Sequence, residues 1–233
     1  MNIKAVIFDM DDLLINSHPT HMLAFEKVLN SYGRSFKDDP LSAQEEAGFF
    51  GMKVVEIVDL FKKRYNIIAT IEEFQAKYAQ EVIPAFQNKI EEMPGARETV
   101  KSLNESGYLL ALASSAIRNK IDIILKHLQI ESVFKTIVSG EDVSRGKPDP
   151  EIFLNALERL KEVTGQPLHS QECLVIEDAA NGIESAINAK MKCIGVHNQP
   201  MYQHLGIKQD LSKADFEVES LEEITPEIIN KIE

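Results

Sequence analysis

Residues 3–12 read IKAVIFDMDD, an apolar run that stops at three carboxylates, Asp9, Asp11 and Asp12. A short apolar run ending in acids is the pattern of a buried parallel strand, here residues 3–8. The texture returns after Pro94-Gly95, where candidate strands at 108–113, 136–139, 174–176, 193–196 and 216–218 alternate with helices near 96–105, 117–128, 150–163 and 180–189. Ile117, Ile121, Ile124, Leu125 and Leu128 give one of these helices a clear apolar stripe. Such alternation predicts an α/β fold, a parallel sheet covered by helices on both faces. A last segment, with Pro226 near its start and Ile228, Ile229 and Ile232 following, suits a short packing helix.

Between about 19 and 90 the texture is helical and no convincing strand occurs. Phe25, Val28, Leu29 and Tyr32 share one face, as do Val54, Ile57, Val58 and Phe61, and Phe74, Tyr78 and Val82 continue the theme. A small helical bundle is therefore expected as an insertion after the first strand.

The bulk properties narrow the class. The chain has 233 residues, 44% hydrophobic and 27% charged, an ordinary globular balance for one large domain or a core with an inserted one. Cys173 and Cys193 are far apart with no histidine cluster nearby, so neither a disulfide framework nor a zinc site is indicated, and a reducing cytoplasm is the expected location. The early carboxylates rule out a signal-peptide core, and no stretch reaches membrane-spanning length. A net charge of −12 argues against nucleic acid as a partner. With every apolar stripe assigned to the interior, a monomer is expected.

Ligands of open α/β sheets bind beyond the carboxyl ends of the strands. Those ends are Asp9-Met10-Asp11-Asp12, Ser114-Ser115 and Glu177-Asp178. Buried carboxylates are costly unless a cation compensates them. Two acidic strand ends converging on one crevice make a hard oxygen-rich pocket suited to Mg²⁺.

Four segments in order, FDMD at 8–11, ALASS at 111–115, GKPDPEIF at 146–153 and VIEDAANGI at 175–183, resemble the four motifs of the haloacid-dehalogenase-like superfamily. MPGA at 93–96 is also typical of that family. The resemblance covers the whole chain and implies a Rossmann-like core of residues 1–16 and 91–233 with a helical cap domain at 17–90. It implies a Mg²⁺-dependent phosphatase of small phosphorylated metabolites, sugar phosphates foremost, working through an aspartyl-phosphate. In that scheme Asp9 is the nucleophile and Asp11 the acid and base. Asp9, the Asp11 backbone carbonyl and Asp178 hold the metal, with Glu177 as a further ligand or support. Ser114, Ser115 and Lys147 bind the phosphoryl group. Ser114 or Ser115 is expected also to cap the helix at 117–128.

The chain departs from the family pattern in places. Asp12 follows the second motif aspartate where Gly is usual, Asn16 replaces a common Asp, and Lys190 stands where Gly is frequent. Asp12 tolerates a left-handed backbone better than most residues but adds charge beside the site. His21, Gly51 and Lys53 are the candidate specificity residues of the cap. Two other functions remain open. A β-phosphoglucomutase-like transferase needs a grip on a second phosphate, for which Lys53 substitutes poorly for a bidentate Arg. A catalytically weak sensor of phosphorylated metabolites would make Asp12 the disabling change.

Overall fold

Every residue of β1 (Ala5–Phe8) is buried, as its unbroken apolar sequence requires of a central strand. The computed structural model describes residues 2–232. After β1 come four helices, α1 (His18–Ser31), α2 (Ala43–Ala47), α3 (Val54–Arg64) and α4 (Ile71–Asn88). Alternation then begins with α5 (Ala96–Glu105), β2 (Leu109–Ala113), α6 (Arg118–Leu128) and β3 (Thr136–Val138). It continues through α7 (Glu151–Thr164), β4 (Cys173–Glu177), α8 (Ala180–Asn188), β5 (Lys192–Val196), α9 (Gln199–Leu205), β6 (Phe216–Val218) and α10 (Pro226–Ile229).

Among the described residues these strands form one sheet in the order β3-β2-β1-β4-β5-β6, with every pairing parallel. Side chains alternate between its faces. Val6, Phe8, Leu112 and Ile176 point toward Val100 and Leu103 of α5 and Ile121, Ile124 and Leu128 of α6. Ile7, Ala111, Ala113 and Val175 point the other way, toward Ile152, Phe153 and Leu157 of α7 and Ile183 and Ala186 of α8. Burial on both faces explains why these strands read as continuous apolar runs.

The helical insertion has its own aromatic interior. Phe25 stacks on Tyr78 at 4.3 Å and meets Phe61 edge-on at 4.9 Å between ring centroids. Thr70 and Glu73 close a reciprocal cap at the start of α4. The insertion leaves and rejoins the sheet through two adjacent segments, where Asn16 N donates to Glu91 O at 2.8 Å and Met93 N to Leu14 O at 3.0 Å.

The expected strands and sheet-flanking helices are present within about a residue or two, the ordinary spread of such boundaries. The expected serine cap of α6 is not. Its N-cap is Ile117, without a side-chain bond, while the Arg118 amide donates to Glu141 Oε2 at 2.7 Å. The serines stop short of the helix because Ala116 and Ile117 intervene, and Ser114 Oγ instead accepts from the Ala116 amide at 3.2 Å.

Candidate active site

Strand register assembles the site. Phe8 lies level with Leu112 of β2 on one side and Ile176 of β4 on the other. Asp9 therefore emerges beside the positions where Ser114 and Glu177-Asp178 leave the sheet. One oxygen each from Asp9, Glu177 and Asp178 lies within 4.8 Å of the others, and all three residues are buried.

Lys147 is carried into this cluster by the loop before α7. Its Nζ is 2.5 Å from Asp9 Oδ1 and 2.6 Å from Glu177 Oε1. The two carboxylates keep Lys147 charged despite its burial, shifting it above the ordinary lysine range. One ammonium does not balance three acids. Burial pushes Asp9 up to about 7, against the pull of Lys147 and with a further push from Glu177. Asp178 is raised well above the usual carboxylate range by burial, and then by Glu177, Asp12 and Asp9.

Glu177 is fully engaged, since its Oε2 also accepts from the Asp178 and Ala179 amides at 2.9 Å each. Gly182 makes room for it. A Cβ at position 182 would sit 1.8 Å from Glu177 Oε1, so the carboxylate can rest against α8 only if that helix carries Gly there. By contrast, Asp178 Oδ2 is buried and, among the described residues, has no hydrogen-bond partner. An orphaned carboxylate oxygen beside surplus negative charge fits a hard divalent cation. Asp9 and Asp178 could ligate it directly, with Glu177 behind them.

Asp11 belongs to a second cluster. Its Oδ1 accepts from Lys120 Nζ and lies 3.5 Å from His21 Nε2. Lys120 also donates to His21 Nε2 at 2.6 Å and sits 4.6 Å from the centre of the Phe86 ring. His21 Nδ1 in turn meets the Tyr78 hydroxyl. Burial alone would raise Asp11, but the Lys120 ammonium beside it outweighs burial and holds the carboxyl well below its usual range. Burial, then Lys120, pushes His21 down to about 4, so the imidazole is neutral and its Nε2 can accept from the lysine.

Asp12 occupies the left-handed region at φ 61°, the conformation for which Gly is usual. Its side chain has a use of its own, because Oδ1 accepts from the Ser17 and His18 amides at 2.9 Å each and so caps α1. Its carbonyl accepts from Asn198 Nδ2 at 3.0 Å. The Asn198 amide donates to Gln209 Oε1, and Gln209 Nε2 donates to Asp178 O at 2.6 Å. The same left-handed geometry accounts for a second of the three departures, Lys190 at φ 59° after α8.

The sequence-predicted residues are distributed around a cavity of about 360 Å³ between the sheet's carboxyl end and the helical insertion. Asp9, Asp11, Glu177, Asp178, Ser115, His21 and Gly51 line it. Ser114 is fully buried just behind. Gly51, at φ 76°, passes over the cleft and accepts from Ser115 Oγ at 2.9 Å. Lys53 is not brought to the cavity; its Nζ donates to Val143 O at 2.8 Å. Lys120 escaped the sequence reading, although its spacing from Ile117, Ile121 and Ile124 places it on the buried stripe of α6, where a cation needs a partner.

Similarity to known proteins agrees with this arrangement. Residues 6–196 match the family described as haloacid dehalogenase-like hydrolase. The chain is 31% identical over 191 residues to a phosphorylated carbohydrates phosphatase of Thermotoga maritima, covering 82% of this chain and 83% of that protein. It is 30% identical over 200 residues to (DL)-glycerol-3-phosphatase 2 of Arabidopsis thaliana, covering 84% and 80%. A β-phosphoglucomutase structure from Clostridium difficile superposes with a TM-score of 0.80 at 24% identity, covering 99% of this chain and 96% of that one, which speaks to the fold alone. A match running from within β1 to the end of β5, through the helical insertion and all the acidic strand ends, places the chain in the haloacid dehalogenase-like hydrolase family.

Proposed function

We propose that the protein hydrolyses phosphoric monoesters of small metabolites, sugar phosphates among them, through a covalent intermediate on Asp9. The observation that carries this reading is the meeting of Asp9, Lys147, Glu177 and Asp178 in one buried cluster that opens on the cavity. The similar phosphatases of Thermotoga and Arabidopsis support the substrate class.

An Asp9 carboxylate oxygen attacks phosphorus as the bond to the leaving alcohol oxygen breaks. Lys147 holds Asp9 in place and offsets charge on the transferring group. Asp11, ionised at rest, takes up a proton that arrives with the monoanionic ester and delivers it to the departing oxygen, then takes one from the water that attacks the phosphoryl-Asp9 bond. The ionised Asp11 maintained by Lys120 is the form needed for that second proton transfer. Ser114, Ser115 and neighbouring backbone amides receive the phosphoryl oxygens. Asp9, the Asp11 backbone carbonyl, Asp178 and Glu177 form the set proposed to hold Mg²⁺, whose charge would neutralise the acids and polarise the phosphoryl group.

Residues 17–90 act as a cap domain hinged at the paired segments around Asn16 and Glu91, and the remainder, 1–16 and 91–233, as the catalytic core. Closure over the cleft excludes water during the first transfer. Phosphatase is preferred to mutase because Lys53, the cation expected to meet a second phosphate, is engaged with Val143. The proposal is tested by phosphate release from a panel of monoesters with and without Mg²⁺. Metal-dependent release that Asp9→Asn abolishes is expected. Absence of release, or isomer formation from glucose 1-phosphate without phosphate release, would count against it.

A further inference from the structure

We infer that the cavity selects singly phosphorylated monoesters whose leaving alcohol presents an apolar or aromatic face, and rejects alcohols that carry a second anionic group. This inference rests on the proposed hydrolysis and narrows its substrate class, ranking polyhydroxylated esters such as sugar phosphates below esters with an apolar face while keeping both as substrates. The wall that the helical insertion turns toward the carboxylates includes Met22, Phe25, Phe49, Met52, Val54 and Ile57. It is backed by fixed rings, since Phe61 meets Phe49 edge-on at 5.2 Å and Phe25 at 4.9 Å. An alcohol with an apolar face gains from covering such a wall, whereas hydroxyls turned toward it find no partner and must reach Ser17, Gln75 or Tyr78 elsewhere on the lining.

Charge points the same way. Among the described residues the cavity is lined by the acids Asp9, Asp11, Asp12, Glu141, Glu177 and Asp178, and by one lysine, Lys120. Lys120 is engaged with Asp11 and His21, Lys147 with Asp9 and Glu177, and Lys53 with the Val143 carbonyl. The lining histidines are also paired, His18 with Glu46 and His21 with Lys120 and Tyr78. The phosphoryl group that reaches Asp9 meets Lys147. A second phosphate or carboxylate farther out meets an apolar wall and, among the described residues lining the cavity, no free cation, and so loses its hydration without compensation.

The test compares three primary alkyl monoesters of similar leaving-group reactivity, with the 233-residue chain and Mg²⁺. They are 2-phenylethyl phosphate, glycerol 3-phosphate and 1,3-propanediol bisphosphate. Expected kcat/KM for the phenylethyl ester exceeds that for glycerol 3-phosphate by at least about tenfold, with the bisphosphate lower still. Met52→Lys, which adds a cation to the wall, should raise kcat/KM for the bisphosphate about tenfold through KM and lower it for the phenylethyl ester. Equal values for the three wild-type substrates, or a preference for the bisphosphate, would overturn the inference while leaving the hydrolase standing. Release from none of them would overturn both. Should Met52→Lys not fold, the wild-type comparison decides alone.

Discussion

Lys120 Nζ, on the first turn of α6, donates to Asp11 Oδ1 from 109 positions farther along the chain. The contact ties the proposed acid and base to an ammonium that is itself buried, with Phe86 beneath it and His21 alongside. Through its second contact, with His21, the same ammonium also links α6 to α1, the first helix of the insertion.

Replacing this lysine separates its electrostatic role from packing. In Lys120→Met the alkyl stem is kept and the charge is lost, so burial raises Asp11 where the ammonium had lowered it. The carboxyl then holds its proton to higher pH, and the acidic limb of the kcat–pH profile, set by the ionised Asp11 that serves as base in hydrolysis of phosphoryl-Asp9, moves upward. A fall in kcat of about tenfold to hundredfold on that limb accompanies the shift. A profile that drops uniformly without moving would show that Lys120 does not act on Asp11.

Asp178→Asn removes charge from a site that carries too much of it. Without metal the variant should melt higher than the parent, by about 2–4 °C for each kcal/mol of relieved repulsion. It should also lose the thermal stabilisation that Mg²⁺ gives the parent. Melting curves with Mg²⁺ and with a chelator check both signs, and an unchanged response to Mg²⁺ would remove Asp178 from the ligand set.

The same imbalance sets a pH dependence. Asp9 is pushed up to about 7 in the folded chain, whereas an unfolded aspartate has a pKa of about 3.9. Between those values the folded state binds more protons than the unfolded one, so the stability of the metal-free protein falls as pH rises through this window. Asp178 is displaced in the same direction. Mg²⁺ competes with those protons, and the melting-temperature gain it produces should be larger at pH 8 than at pH 5. A gain independent of pH would mean that the cation binds elsewhere.

Gly182→Ala should destabilise, against the usual trend for a helical glycine. In an ordinary helix interior this change is worth up to about 1 kcal/mol of stabilisation. Here the new methyl group would stand 1.8 Å from Glu177 Oε1, on a carboxylate pinned by Lys147 and two amides. A net loss of about 1–3 kcal/mol is expected, together with weaker metal binding as Glu177 is displaced. Chemical denaturation and Mg²⁺ titration measure the two effects. A variant as stable as the parent would show that Glu177 yields without cost.

The order of strands and helices was legible because burial on both faces writes itself into unbroken apolar runs such as 5–8 and 109–113. The acidic cluster was legible because Asp9, Ser114 and Glu177-Asp178 all stand at strand ends, and adjacency in the sheet does the rest. Lys120 was less visible because α6 reads as amphipathic whether or not one member of its buried stripe is charged. Asp12 read as added charge at the metal site, and only the three-dimensional path of residues 12–18 shows its carboxylate committed to two amides of α1. The helix α9 lacks a sustained apolar period, and the Asn198–Gln209 bridge to Asp178 is a pairing of remote loops that no local pattern encodes.

The central claim is that Asp9 itself carries the phosphoryl group between two displacements. Acid quenching of the enzyme during turnover, followed by peptide mass analysis, tests it most directly. The account predicts one added phosphoryl group on the peptide bearing Asp9, absent in Asp9→Asn, which also releases no phosphate. Unmodified Asp9 in the quenched parent, with Asp9→Asn still releasing phosphate at the parental rate, would contradict it.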